Sequence, residues 1–176
     1  MKVFVSMLLT FSLLLGFNSI SFGEENGEKN ESDLSKIPFE ELTPDQLAQR
    51  VEQDMKENPD KVEYAVPIIE DEMSTQAVYL PYPISYNFTG STQYFRDHMA
   101  STKSGIKVNI NHRTNNTLTF NLYRALGDDH EYIGSRVFFG NTNSTANMTV
   151  VPFANYHFVL TGPNGPVKSG SGAVIN

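Results

Sequence analysis

The 176-residue chain contains no cysteine and no tryptophan. The first absence excludes disulfides, thiolate nucleophiles, anchoring through a lipidated cysteine and every sulfur-ligated metal site. Long apolar runs are scarce as well. Only Val3 to Phe17 forms one, and it is shorter than the roughly 20 residues a membrane-spanning helix needs. Acidic residues are almost missing from the second half of the chain. Sixteen of the twenty lie between Glu24 and Glu72, whereas residues 74–176 hold four acids against seven bases. With only Asp97, Asp128, Asp129 and Glu131 left there, three of them nearly adjacent, the paired carboxylates of a glycosidase have nowhere to sit. The seven bases are too dispersed for nucleic-acid binding.

The N-terminus reads as a secretory signal peptide over residues 1–23. Lys2 supplies the positive end, and the apolar run is broken only by Ser6, Thr10, Ser12 and Gly16. Small residues at Ser21 and Gly23 place cleavage after Gly23. The mature chain is therefore expected to be secreted, extracellular and without a transmembrane segment. Small eukaryotic secreted domains usually rely on disulfides, so an exported chain without cysteine points to a bacterium with a single membrane, a Gram-positive one.

Residues 24–75 form an acidic segment, with 16 acids and 5 bases between 24 and 73. Its first part lacks apolar periodicity and reads as disordered. Thr43-Pro44-Asp45-Gln46 then spells a capping box with proline at the first helical position. Leu47, Val51 and Met55 follow at helical spacing, and Asn58-Pro59 stops a helix expected at about 44–57. A helix of that length is marginal alone in water, so it needs a surface to lie on. Val62 to Ile69 reads as an extended stretch that Pro67 confines to a sheet edge. Two readings follow. One is a solvated spacer. The other is a pro-segment that covers the following domain until a second cleavage near Met73 or Ser74.

From Gln76 the pattern switches to period two. Ile106, Val108 and Ile110 alternate with polar residues, as do Leu118, Phe120 and Leu122, and Tyr156, Phe158 and Leu160. Ile133, Val137 and Phe139 share a parity with Ser135. Turn signals separate these runs, and Asn164-Gly165 is a hairpin cue. Strands are expected near 77–88, 92–99, 105–112, 117–125, 131–139, 146–153, 155–162 and 166–175. Seven to eight short strands over residues 76–176 predict a mainly β fold, an antiparallel β-sandwich.

The order of Ser91-Thr92-Gln93-Tyr94-Phe95-Arg96, Gly105 to Ile110, Leu118 to Tyr123 and Asn155 to Gly162 resembles the small β-sandwich modules of secreted bacterial enzymes, of the pre-peptidase C-terminal and collagen-binding type. The likeness spans about residues 88–165. Those modules carry a Tyr-Phe-x-Phe strand, an aliphatic hairpin and a late Gly-x-Tyr-x-Val strand. Here Ala154-Asn155-Tyr156 stands where they carry Gly-Thr-Tyr, and no catalytic domain accompanies the module. The resemblance implies binding or chaperoning.

Catalytic chemistry finds little support. None of His98, His112, His130 and His157 has helical metal-ligand spacing. His112 shares the inward parity of Ile106 to Ile110 and reads as a structural histidine. Ser169-Gly170-Ser171-Gly172 lacks the nucleophile-elbow spacing. Asp128, Asp129 and Glu131 supply oxygen atoms that suit calcium, on what reads as a polar hairpin tip. No cofactor-binding motif is present. The aromatic cluster Tyr79, Tyr82, Tyr86 and Tyr94, with Arg96 beside it, is the candidate ligand-binding set, since tyrosine offers an apolar body and a polar tip. The leading expectation is a secreted, non-enzymatic β-sandwich protein that binds an anionic cell-wall polymer, a membrane surface or an extracellular protein. The alternative is a secreted toxin or antimicrobial protein made as a proprotein, its acidic segment neutralising the β domain. An unrecognised hydrolase is the third.

Overall fold

Alternating apolar residues stabilise a strand only when one face meets a core, and two such sheets facing each other provide it. A computed structural model describes residues 34–68 and 82–176, apart from the side chains of 96–98. The expected signal peptide, the expected second cleavage near Met73 and Ser74, Tyr79 and the Arg96 side chain lie outside the described residues. Among the described residues one α-helix, α1 (Pro44–Glu57), precedes ten strands: β1 (Val62–Tyr64), β2 (Val66–Pro67), β3 (Tyr82–Phe88), β4 (Thr92–Ala100), β5 (Gly105–His112), β6 (Leu118–Leu126), β7 (Asp129–Phe138), β8 (Thr142–Thr149), β9 (Asn155–Thr161) and β10 (Lys168–Ile175). They form two five-stranded sheets, ordered β1-β7-β6-β9-β4 and β2-β8-β5-β10-β3. The fold is a mainly β sandwich, not a closed barrel, and the β1–β7 pair is parallel.

The core between the sheets contains Ile84, Val108, Ile110, Leu118, Phe120, Leu122, Phe158 and Leu160. Phe158 stacks between Phe95 and Phe120, at 4.4 and 4.7 Å between ring centres. A long tyrosine fits because β10 opposite is glycine-bearing. A Cβ at Gly170 would collide with the Tyr86 hydroxyl and the Asn111 carbonyl. The pair β6–β7 turns through two residues, Gly127 and Asp128, with Leu126 opposite Asp129. Gly127 takes the positive φ of +69° that such a turn requires at its first position.

Residues 34–68, read from sequence as a spacer or pro-segment, are built into this sandwich. Helix α1 carries the expected cap: Thr43 Oγ1 accepts from the Gln46 N–H, and Gln46 Oε1 accepts from the Thr43 N–H. Its inner stripe, Leu47 and Val51, packs with Phe39 and Leu42 on Tyr123, Tyr132 and Val159 of the outer sheet face. The chain then joins both sheets in succession. β1 lies beside β7, Ala65 is buried between the layers, and β2 lies beside β8. Pro67 sits at an edge, where its missing donor costs nothing.

Three local expectations change. The strand expected at 146–153 is β8, Thr142–Thr149, which begins directly after Asn141 with its φ of +55°. Phe138 is in the core and Phe139 is 49% exposed, the reverse of the parity shared by Ile133, Val137 and Phe139. A register shift in the β6–β7 pair at Leu122/Tyr123 inverts the alternation part-way along. Asn164-Gly165 does not close a hairpin, because β9 and β10 belong to opposite sheets. Lys168 fixes this crossover from a fully buried position, donating to the carbonyls of Pro163 (2.7 Å) and Thr89 (3.3 Å).

Candidate functional site

Residues 150–154, Val-Val-Pro-Phe-Ala, carry the chain from β8 in one sheet to β9 in the other. β8 ends at Thr149, and Pro152, which cannot donate to a ladder, lies within the connection. Four contacts pin its backbone. The Val150 N–H donates to the Ser104 carbonyl at 3.0 Å, and the Phe153 N–H donates to the Ser101 carbonyl at 2.7 Å. The hydroxyl of buried Tyr156 accepts from the Val151 N–H (2.7 Å) and donates to the Val151 carbonyl (3.2 Å).

At the tip Phe153 has φ of +63°, a left-handed conformation that costs a non-glycine residue roughly 1–2 kcal/mol. Phe153 is 78% exposed and Val151 is 49% exposed. Backbone strain of this kind clusters at binding and active sites, and here it presents a large apolar side chain to solvent. Lys103 is exposed on the segment that holds Val150 and Phe153, and Lys107 is exposed further along on β5.

A polar recess of about 520 Å³ lies at the Gly105–Lys107 end of β5, bordered by Glu63, Arg136 and Asn147. Its guanidinium is already engaged. Arg136 donates to the carbonyls of Lys61, Ser135 and Asn147 and pairs with Glu63 at 3.1 Å. It ties the two sheets together and is not offered to a ligand.

Several titratable groups gather beneath the arm formed by residues 34–57. Tyr123 is fully buried and donates to Asp54 at 2.9 Å. Burial pushes the Asp54 carboxyl above its ordinary range, against the pull of Arg50. Burial likewise holds the Tyr123 hydroxyl well above its usual value, reinforced by the Asp54 charge. Burial also acts to raise Glu40, but its backbone hydrogen bond, the Tyr94 hydroxyl and the nearby His130 and His157 outweigh it and hold the carboxyl below its usual range. Phe39 occupies the centre of this cluster, stacked on His130 at 4.3 Å and edge-on to Tyr123 at 4.8 Å.

The candidate residues from sequence are scattered by the fold. Tyr82 packs edge-on against Phe158, Tyr86 is buried against His112, and Tyr94 is half-buried against Phe39 with its hydroxyl on Glu40. These tyrosines do not share one exposed face, because β3 and β4 belong to different sheets and their alternation sends Tyr86 inward. Asp128 and Asp129 lie at the β6–β7 tip, and Glu131 pairs with Arg124. Among the described residues, no three His, Asp or Glu side chains are grouped to hold a metal ion. His112 is fully buried with both ring nitrogens engaged, by Tyr86 and Asn116. His157 is fully buried too, so neither faces a carboxylate across an open cleft. The Val151–Phe153 tip was missed because its apolar residues continue the β8 pattern. Pro152 within that run was the available signal.

No family model matches the chain, and no curated protein matches it. Among solved structures, the chain is similar to PliG of Aeromonas hydrophila, a periplasmic lysozyme inhibitor of g-type lysozyme. That likeness covers 66% of this chain and 98% of PliG, at 18% identity and a TM-score of 0.39.

Proposed function

We propose that the chain is an exported, non-enzymatic binding protein that docks onto an extracellular protein through the β8–β9 loop, with Phe153 as its anchor. The observation that carries this reading is Phe153, 78% exposed on a backbone at φ +63°. A large aromatic side chain that becomes buried in a partner's pocket is the commonest energetic centre of a protein interface. Holding it in place beforehand removes part of the ordering cost of association. A lipid surface accepts a mobile loop as readily as a fixed one, so rigidity favours a shaped protein pocket. A charged polymer would select a denser set of cations than Lys103 and Lys107.

The test places a photoreactive benzoylphenylalanine at position 153, and separately at exposed Ser85 on β3, with irradiation in the culture medium of the source cells. The expected result is one discrete protein adduct from position 153 and none from position 85. Excess native protein competes it away, and Phe153→Ala does not. The absence of an adduct, with the native chain instead sedimenting with phosphatidylglycerol vesicles or isolated cell wall, overturns the proposal.

A further inference from the structure

The two long sides of the sandwich are closed differently. On one side residues 62–67 pass from β1 in the first sheet to β2 in the second through buried Ala65, so backbone spans the gap. On the other side the outermost strands are β4 and β3. They are consecutive in the chain, yet β4 pairs with β9 and β3 with β10. Facing sheets stand about 10 Å apart, so side chains alone fill the gap between these two edges.

Filling is incomplete at the end away from the 89–91 connection. A pocket of about 320 Å³ opens there between Tyr82 and Pro83 on β3 and Met99 on β4. Its floor is made of the core residues Ile106, Tyr156 and Val174, which are 6%, 1% and 4% exposed. Ser101 and Asn176 supply its polar rim, where the Ser101 hydroxyl donates to Asn176 Oδ1 at 2.7 Å. Among the described residues no charged side chain lines it. Sandwich interiors are normally packed to crystal density, and an apolar recess does not hold ordered water well, since water needs several polar partners. The volume falls at the lower end of small-molecule sites, roughly 300–1,000 Å³.

We infer that this slot binds one unbranched apolar chain, a medium-length alkyl or fatty acyl group, inserted between the sheets with its polar end at Ser101 and Asn176. The layer spacing selects for thickness: a single chain enters between the layers, and a branched or fused-ring molecule does not. The described lining, with Tyr82, Met99, Ile106, Tyr156 and Val174 in it, selects for an apolar body. The slot adjoins the loop that carries Phe153, sharing Ser101 and Tyr156 with it, but Phe153 itself does not line it, and the inference does not depend on that loop having a protein partner.

The test titrates the full chain with cis-parinaric acid, an unbranched polyene fatty acid whose emission rises in apolar surroundings, and then displaces it with decanol. Saturable binding of one probe per chain, reversed by decanol, is the expected result. Met99→Trp and Ala100→Trp, each filling the slot from β4, weaken the probe at least tenfold, while Phe153→Ser leaves it unchanged. Should Met99→Trp fail to fold, Ala100→Trp at the exposed rim decides. No saturable binding by the folded native chain, or unchanged binding in the folded tryptophan variants, overturns the inference.

Discussion

Replacing Phe39 by alanine tests whether residues 34–68 belong to the folding unit. Phe39 is 1% exposed and sits amid rings of His130 (4.3 Å), Tyr123 (4.8 Å), His157 (5.2 Å) and Tyr94 (5.9 Å), with the Arg50 guanidinium 5.8 Å from its centre. Four of these neighbours project from strands whose backbone is fixed by ladder hydrogen bonds, so they cannot collapse into the space left behind. A deletion of this size in a site that cannot relax costs about 3–5 kcal/mol, against a total stability of about 5–15 kcal/mol for a domain. The melting temperature should fall by about 10 °C or more, given about 2–8 °C per kcal/mol across domain sizes. Urea unfolding followed by near-ultraviolet circular dichroism provides the measurement, because the chain has tyrosine and no tryptophan to report on packing. A single transition with an unchanged slope and a lower midpoint is expected. A loss below about 1 kcal/mol, or a biphasic curve in which the sheets melt at the native midpoint, would refute the reasoning.

Three further outcomes follow from the same contacts. Asn116 places its Oδ1 on His112 Nε2 at 2.8 Å and its amide on the Val167 carbonyl, so Nε2 carries the proton and Nδ1 accepts from Tyr86. Tyr86→Phe therefore leaves a buried acceptor without a donor and should cost about 1–3 kcal/mol in denaturant unfolding. Glu40, whose carboxyl is held below its usual range, contributes stability that is present above the ordinary carboxylate range and lost as pH falls through its folded-state value. Glu40→Gln should flatten the stability profile below about pH 4 and leave its shape near neutrality unchanged; an unaltered acid limb counts against the assignment. Phe153→Gly relieves the left-handed strain and should leave the chain equally stable or about 1 kcal/mol more stable while failing, when added in excess, to compete away the adduct formed by the photoreactive chain. A clear loss of stability would mean that the ring has a packing role.

How far these features can be read from the chain depends on the range over which each is determined. Helix α1 was legible to the residue, because its capping box and proline lie within four positions of one another. The strands were legible because alternation is local and the core stripe of Ile106, Val108 and Ile110 is unbroken. Failures arose where a distant residue decides. His157 and Val159 sit on the face that alternation assigns to solvent, yet they are buried because Phe39 and α1, more than 100 residues earlier, cover them. Asn164-Gly165 has hairpin chemistry, but Lys168 and the sheet assignment of β10 turn it into a crossover. Burial on one face is encoded in the strand itself, whereas burial on the second depends on what else folds against it. The Phe153 tip was hidden for a related reason, since exposure of an apolar residue is a property of the whole assembly.

The uneven charge of the chain invites the view that the acidic segment is held electrostatically on a mildly basic domain. The contacts argue otherwise. Among the described residues, the ion pairs linking residues 34–68 to the later strands include Glu63 with Arg136 at 3.1 Å and Glu40 with His130 at 4.0 Å, and both carboxylates are about half exposed or more. Exposed pairs contribute about 0–1 kcal/mol each. Phe39, Leu42, Leu47 and Val51 are each buried to 9% exposure or less, and side chains of this kind contribute about 1.5–3 kcal/mol apiece. Asp45, Glu52 and Glu57 of α1 are exposed, so much of the helix's acidity faces water while its apolar stripe does the binding. Two consequences distinguish this from charge neutralisation. Raising sodium chloride to 1 M, which shortens the screening length to about 3 Å, should leave α1 docked and its amides protected from hydrogen exchange. A cut near Met73–Ser74 should leave two fragments that still migrate together on gel filtration and separate only in denaturant. Release of an intact, folded 76–176 domain by salt or by that cut would support the proprotein reading and remove the structural role assigned to residues 34–68.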